Sequence, residues 1–182
     1  MKTVACTEGC VLEWVKLICS GVFAVLIAIS DAREYKIKNV LVLPFLLFGL
    51  TFNALFGGLS SFQNALVGMV LPLCLLPLFG LKMLGAGDIK AFCTLGSILG
   101  WRWSIDVVLY SFVAAGILAI GFLLLRKNAA ARFGNLLRYM KLCLYNRRLL
   151  PYSDFVDTHG RFRFAFGILG GYIIVALTSI YR

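Results

Sequence analysis

Two aspartates, Asp31 and Asp88, are the residues of this 182-residue chain best placed to do chemistry together. Asp88 closes Gly85-Ala86-Gly87-Asp88, wedged between a hydrophobic stretch ending at Leu84 and another opening at Ala91. A carboxylate in such a setting is costly and marks a functional group by default. Gly85 and Gly87 open backbone conformations closed to other residues and let a second chain come close, as an extended peptide substrate would need. Two carboxylates at one wet cavity are the reagents for aspartyl hydrolysis: one ionised to activate water, the other protonated to donate to the scissile carbonyl. Repulsion would keep one proton on the pair, which then titrates as a unit. Each aspartate alone also has an ordinary role. Asp31 suits a solvated charge near Arg33 at a span end, and Asp88 suits a helix cap through backbone N–H groups.

The elements that must position this pair follow from composition. Hydrophobic residues make up 61% of the chain and charged ones 14%, which describes a polytopic membrane protein and excludes a soluble domain. A spanning helix takes about 20 residues. Apolar runs cover 11–30, 40–56, 62–81, 89–100, 105–125 and 164–180. The expected fold is therefore all-α, with about six transmembrane helices in one membrane-embedded domain over 1–182. The fourth run is short and must borrow Gly85 to Asp88 on one side or Trp101 and Trp103 on the other, the tryptophans suiting a membrane interface. A small-residue sequence at Ala28-Ile29-Ser30 resembles a signal-peptide cleavage site, but the run before it is long enough to span and carries Glu13 in its flank. No internal repeat is visible.

Net charge is +10, and its meaning lies in where the 18 cations fall. With six spans the connections alternate sides, and the cations divide 14 to 4. The rich side holds Arg33, Lys36, Lys38, Lys82, Lys90 and the basic residues from Arg126 to Arg163; the poor side keeps Lys2, Lys16, Arg102 and Arg182. The positive-inside rule then puts both termini outside and the odd-numbered connections in the cytoplasm. Asp31 and Asp88 share that cytoplasmic edge, whereas Asp106, near Trp103, falls on the opposite face. The basic balance is a topology signal with some capacity for anionic lipid headgroups, and no aromatic-basic motif supports nucleic-acid binding.

Segment 127–160 is too charged to span. Phe133, Leu136, Leu137, Met140, Leu144 and Leu149 recur near helical spacing among cations, the pattern of an amphipathic helix on the inner leaflet that Pro151 ends. Cys19, Cys74 and Cys93 lie in apolar runs, and Cys6 and Cys10 in a short N-terminal tail lack the spacing of a zinc site. The single histidine, His159, lies in the loop, far from Ser97 and Ser111, so neither a zinc nor a serine-histidine protease can be assembled. No metal and no cofactor are expected.

Asp31-Ala32-Arg33-Glu34-Tyr35-Lys36-Ile37-Lys38-Asn39 and Gly85-Ala86-Gly87-Asp88-Ile89-Lys90 together resemble the two motifs of the type IV prepilin peptidases, membrane aspartyl proteases with a GxGD motif. The likeness is to their small single-domain members, which lack the CxxC methyltransferase region. It runs in order and spacing from Ile18 to the C-terminus. Lys38 stands where the family usually has proline, and Arg161 to Gly170 lacks the prolines that usually open the last span. A presenilin-like protease shares GxGD but pairs it with a Tyr-Asp motif, whereas Ser30 precedes Asp31 here.

The resemblance implies cleavage of the short basic leader of prepilin-like membrane proteins at the cytoplasmic membrane of a bacterium or archaeon, typically after glycine. It makes Asp31 and Asp88 catalytic and leaves methylation open. Gly85, Gly87, Lys90, Arg33 and Asn39 are the residues that would bind substrate or shape the site. For Lys90 and Arg33 the simpler role is anchoring at the headgroups, and for Asn39 it is capping the second helix. The expected partners are the prepilin-like substrate, the bilayer and the pilus assembly machinery. From a different class, a small proton- or ion-coupled transporter or assembly factor would also use two aspartates and glycine-broken helices. Such proteins usually hold their charges near mid-bilayer and often show repeats, unlike the pattern here.

Overall fold

Backbone polar groups in hydrocarbon must satisfy one another, and a helix does so within one segment. The computed structural model of the chain, which describes residues 2–34, 37–81, 84–125 and 164–180, is helical throughout its apolar stretches. The order is α1 (Lys2–Glu34), α2 (Asn39–Val70), a 3-10 turn (Leu71–Leu75), α3 (Leu76–Gly80), α4 (Ala86–Leu99), α5 (Trp101–Leu125) and α6 (Ala165–Ile180). Three helical stretches among the described residues are long and apolar enough to cross a membrane: Leu12–Arg33, Asn39–Gly80 and Trp101–Gly121, with a shorter apolar helix at Ala165–Ser179.

Asn39–Gly80 merges the second and third expected spans and, at 42 residues, is twice the length of one crossing. Gly58 interrupts it at φ 70°, ψ −171°, a conformation that favours glycine. Gly49, before the break, meets Ser97 and Ile98 of α4, while Gly68, after it, meets Gly96 and Gly100. A straight helix would separate Gly49 from Gly68 by about 28 Å, yet both reach nearly the same level of α4. The chain therefore doubles back at Gly58, and its two limbs clasp α4.

One further boundary differs from expectation, and another decides between the two options left open for the fourth run. Segment 2–10, with Cys6 and Cys10, is helical and continuous with α1 rather than a tail. The short fourth run borrows residues at its start, 86–88, while Trp101 opens α5 beyond a corner at Gly100, φ 90°. The 127–160 loop with its expected interfacial helix, Cys143 and His159 lies outside the described residues.

At the centre stands α4, buried without interruption from Ala91 to Leu99. A helix enclosed on all sides must be apolar all round and tightly approached. Ala91, Phe92, Leu95 and Leu99 join Phe23 and Ile27 of α1, Val107 of α5 and Ile168 and Val175 of α6 in one core. Against α2 the approach is closer still: a Cβ on Gly96 would overlap the Gly68 carbonyl, and one on Gly68 would lie 2.5 Å from the Gly96 carbonyl oxygen. Small residues permit such contacts between membrane helices, where packing replaces the hydrophobic drive.

The C-terminal carbonyls of α4 lack helical partners, and Asn53 supplies one. Its buried Nδ2 donates to the carbonyls of Ser97 (3.0 Å) and Ile98 (3.2 Å), and to Gly49 of its own helix (2.9 Å). Ser104 Oγ donates to the Gly68 carbonyl at 3.1 Å, tying α5 to the same seam. Between α1 and α6, the Tyr172 hydroxyl donates to the Leu17 carbonyl and accepts from Ser20 Oγ at 3.2 Å.

Asn53→Ala leaves two buried carbonyls short of a donor and should lower stability by about 1–3 kcal/mol. Gly96→Ala, which must push α4 off α2, should cost about 1–3 kcal/mol. Gly116→Ala, where an added Cβ meets nothing within 4 Å, should be neutral or stabilising by up to about 1 kcal/mol. Thermal unfolding in one detergent compares the three; equal losses at Gly96 and Gly116 would refute the close-packed seam.

Candidate active site

Asp31 lies in the last turns of α1, and the chain re-emerges at Ile37 and Lys38 before entering α2 at Asn39. Lys38 has φ −75°, ψ 134° and occupies the position before the helix. That φ lies within the range proline imposes, so this lysine keeps the backbone the absent proline would have fixed. Asn39 is thereby the first helical residue and does not cap α2, contrary to the sequence expectation. Its side chain faces α4 instead, where its Oδ1 accepts from Lys90 Nζ at 3.0 Å. Lys90, expected to anchor at headgroups, is held in this link between the starts of α2 and α4.

The other half of the site is the first turn of α4. Gly85 precedes the helix in an extended conformation, φ −78°, ψ 145°. The Asp88 N–H donates to the Gly85 carbonyl at 3.1 Å, and Gly85 N–H donates back to Asp88 Oδ2 at 3.2 Å. A carboxylate at the third helical position reaching back to the preceding amide is one half of a capping box, and it meets the positive end of the helix dipole. The ordinary capping role of Asp88 is thus present, and it leaves Oδ1 outside that bond. Gly87 faces the incoming 37–39 segment: a Cβ there would stand 3.1 Å from Ile37 Cβ. The glycine therefore sets how closely this segment approaches the turn carrying Asp88.

Asp88 stands just ahead of buried Ile89 and of the buried run that begins at Ala91, and its carboxyl pKa is raised to about 6. Burial is the main cause; the Gly85 N–H acts against it, and the negative charge of Asp31 pushes the same way as burial. The charge of Asp31 is therefore felt at Asp88. Gly85 and Ala86 are exposed beside them, so the turn opens to the surface. Arg33 is exposed at the end of α1, where a cation also suits the helix dipole. Asp106, in α5 beyond the far end of α4, is separated from the pair by the length of that helix.

Beneath the turn, Leu84, Ile89 and Cys93 form a second apolar cluster with Met69, Leu75, Leu78 and Phe164 around it. Phe164 packs edge-on against Phe92 with centroids 6.1 Å apart and lies 5.4 Å from Phe112. It belongs to the stretch that lacks the expected prolines, and an aromatic floor supports the aspartate turn there. Ile37 and Asn53 went unrecognised in the sequence. An isoleucine between charged residues and an asparagine within an apolar run are visible signals, but their partners on α4 are not.

A family model described as the type IV leader peptidase family matches residues 18–120, a segment that includes both aspartates. The prepilin leader peptidase/N-methyltransferase of Dickeya chrysanthemi is 40% identical over 101 residues, covering 51% of this chain and 35% of that protein. The proteins of that name from Aeromonas hydrophila and Burkholderia pseudomallei strain K96243 are 33% identical over 114 residues (57% and 39%) and 36% over 104 residues (52% and 33%). The chain spans 33–39% of the length of these relatives. No solved structure matches it.

Removing the Asp31 charge removes one cause of the raised Asp88 pKa, so Asp31→Asn should move the Asp88 titration to lower pH. Carboxyl infrared bands of the protein in micelles, with isotope-labelled aspartate, would follow this. An unchanged midpoint would place the two carboxyls out of reach of each other.

Proposed function

Because the chain belongs to the type IV leader peptidase family, we propose that it is a membrane aspartyl endopeptidase that removes the basic leader of prepilin-like proteins. Asp31 and Asp88 are its acid/base pair. The observation that carries this reading is the Asp88 carboxyl, raised to about 6 by burial and by the Asp31 charge. One proton on two neighbouring carboxyls is the state that aspartyl hydrolysis requires.

Asp31, ionised, takes a proton from water as the oxygen attacks the scissile carbonyl carbon. Asp88, protonated, donates to the carbonyl oxygen as negative charge develops there. Collapse of the tetrahedral intermediate breaks the C–N bond: the proton held on Asp31 passes to the leaving amine, and a hydroxyl proton of the intermediate returns to Asp88, which restores the starting state of the pair. Gly85 and Gly87 leave room for an extended substrate beside the turn, while the Asn39–Lys90 link holds the two starts of helix that frame it. Arg33 lies at the rim.

The protein is a multi-pass membrane protein, with its described apolar helices as the passes. We read it as six spans in a single domain over 1–182, with the active site facing the cytoplasm and 127–160 as a cytoplasmic loop. The fold-back at Gly58 and the 14-to-4 division of cations support this arrangement. The substrate is a prepilin-like protein, and the pilus assembly machinery is the setting in which its product is used.

Co-expression with a pilin-like substrate should give leader removal that Asp31→Asn and Asp88→Asn each reduce at least about 100-fold; retained cleavage in either variant would defeat the assignment. Replacing the leader glycine by leucine should block cutting of an otherwise intact substrate. With Asp88 as the proton donor, kcat/KM should fall as pH rises through about 6, because the free enzyme then loses the shared proton. A rate still rising well above that pH would overturn the singly protonated pair as the active state.

A further inference from the structure

The end of the bundle opposite the aspartates holds charged side chains that hydrolysis does not use. There α1, the last residue of α4, the first turn of α5 and the last turn of α6 surround a cavity of about 280 Å³ lined by Glu13, Trp14, Lys16, Leu99, Trp103 and Ser179. Leu99 lies about 16 Å along α4 from Asp88. The volume is several times that of a water molecule.

Lys16 and Glu13 both lie inside the Leu12–Arg33 stretch that is apolar enough to cross a membrane. Charges at such depth persist where they face one another or a polar cavity. Glu13 and Lys16, three residues apart on a helix, put opposite charges on one cavity wall. Trp14 and Trp103 flank them, the side chain type that settles at headgroup level. From Trp14, exposed apolar residues continue down one face of α1: Ile18 at 63%, Val22 at 49%, Val25 at 45% and Ile29 at 45%. Their spacing of three and four residues keeps them in a single stripe. Paired charges therefore stand at the head of a hydrocarbon track.

We propose that this cavity binds the headgroup of a zwitterionic phospholipid bearing a primary ammonium. The phosphate meets Lys16 Nζ, the ammonium meets the Glu13 carboxylate, and an acyl chain lies along Ile18, Val22, Val25 and Ile29. Charge complementarity selects this occupant: a purely anionic headgroup would be repelled by Glu13, and a free phosphate would have no use for the stripe. Arg102, stacked 5.4 Å over Trp101, lines a neighbouring cavity and takes no part.

The full chain, purified in mild detergent, is exposed to an equimolar mixture of phosphatidylethanolamine and phosphatidylglycerol, and adducts are counted by native mass spectrometry. One phosphatidylethanolamine should be retained about tenfold over phosphatidylglycerol, the ratio one charge-assisted hydrogen bond provides. Lys16→Gln should abolish the adduct and Lys16→Arg should keep it. Glu13→Gln should bring the ratio to about one, and Arg102→Gln should leave it unchanged. Equal retention of both lipids by the parent, no adduct at all, or displacement by inorganic phosphate would overturn the proposal.

Discussion

Everything at the site depends on how α4 is held. It is the shortest of the main helices, enclosed by α1, α2, α5 and α6, and Asp88 sits in its first turn. A helix in hydrocarbon gains nothing from burying apolar surface against other helices, so contact distance and hydrogen bonds must hold it. Two devices do this on one seam. Gly68 and Gly96 bring the backbones of α2 and α4 into contact, and Asn53 fills the hydrogen-bond deficit at the C-terminal end of α4. The fold-back at Gly58 lets one continuous stretch supply both. At the other end the Asn39–Lys90 link ties the first turns of α2 and α4 together. The Asp88 carboxyl is thus carried by an element fixed at both ends, as the catalytic role proposed for it would need.

The aspartates and their glycine neighbours were legible in the sequence because charge is rare in an apolar chain and stands out wherever it occurs. The all-helical membrane architecture was legible from the same contrast, and three of the described stretches are long and apolar enough to cross a membrane. What one-dimensional reading missed depends on where helices cross. Asn53 looks like a polar residue in a span until Ser97 and Ile98 are seen opposite it. Asn39 was read as a cap because asparagine before an apolar run usually is one. Lys38 occupies that place instead, and Asn39 turns its amide to Lys90. The missing proline at Lys38 looked like a departure from the family; the backbone angles show that the conformation survives the substitution. The second and third apolar runs are expected as separate spans with a loop between Phe56 and Phe62, whereas the structure has one helical stretch over Asn39–Gly80 with a break at Gly58. Gly58 makes the turn without leaving helix on either side for more than a residue.

The protonation of Asp88 is a balance, and its terms have different owners. Burial disfavours the ionised carboxyl and comes from the packing of α4 and the cluster around Leu84, Ile89 and Phe164. The Gly85 N–H favours the ionised form and comes from the local turn. The Asp31 charge disfavours it and comes from α1. Burial and the Gly85 amide thus pull in opposite directions. Their opposition leaves the pKa near 6, close enough to neutrality for the neighbouring charge to decide which state is populated. That makes α1 a participant in the electrostatics of α4 as well as in its packing. The Tyr172–Leu17 bond ties α6 to α1, the helix that carries the Asp31 charge.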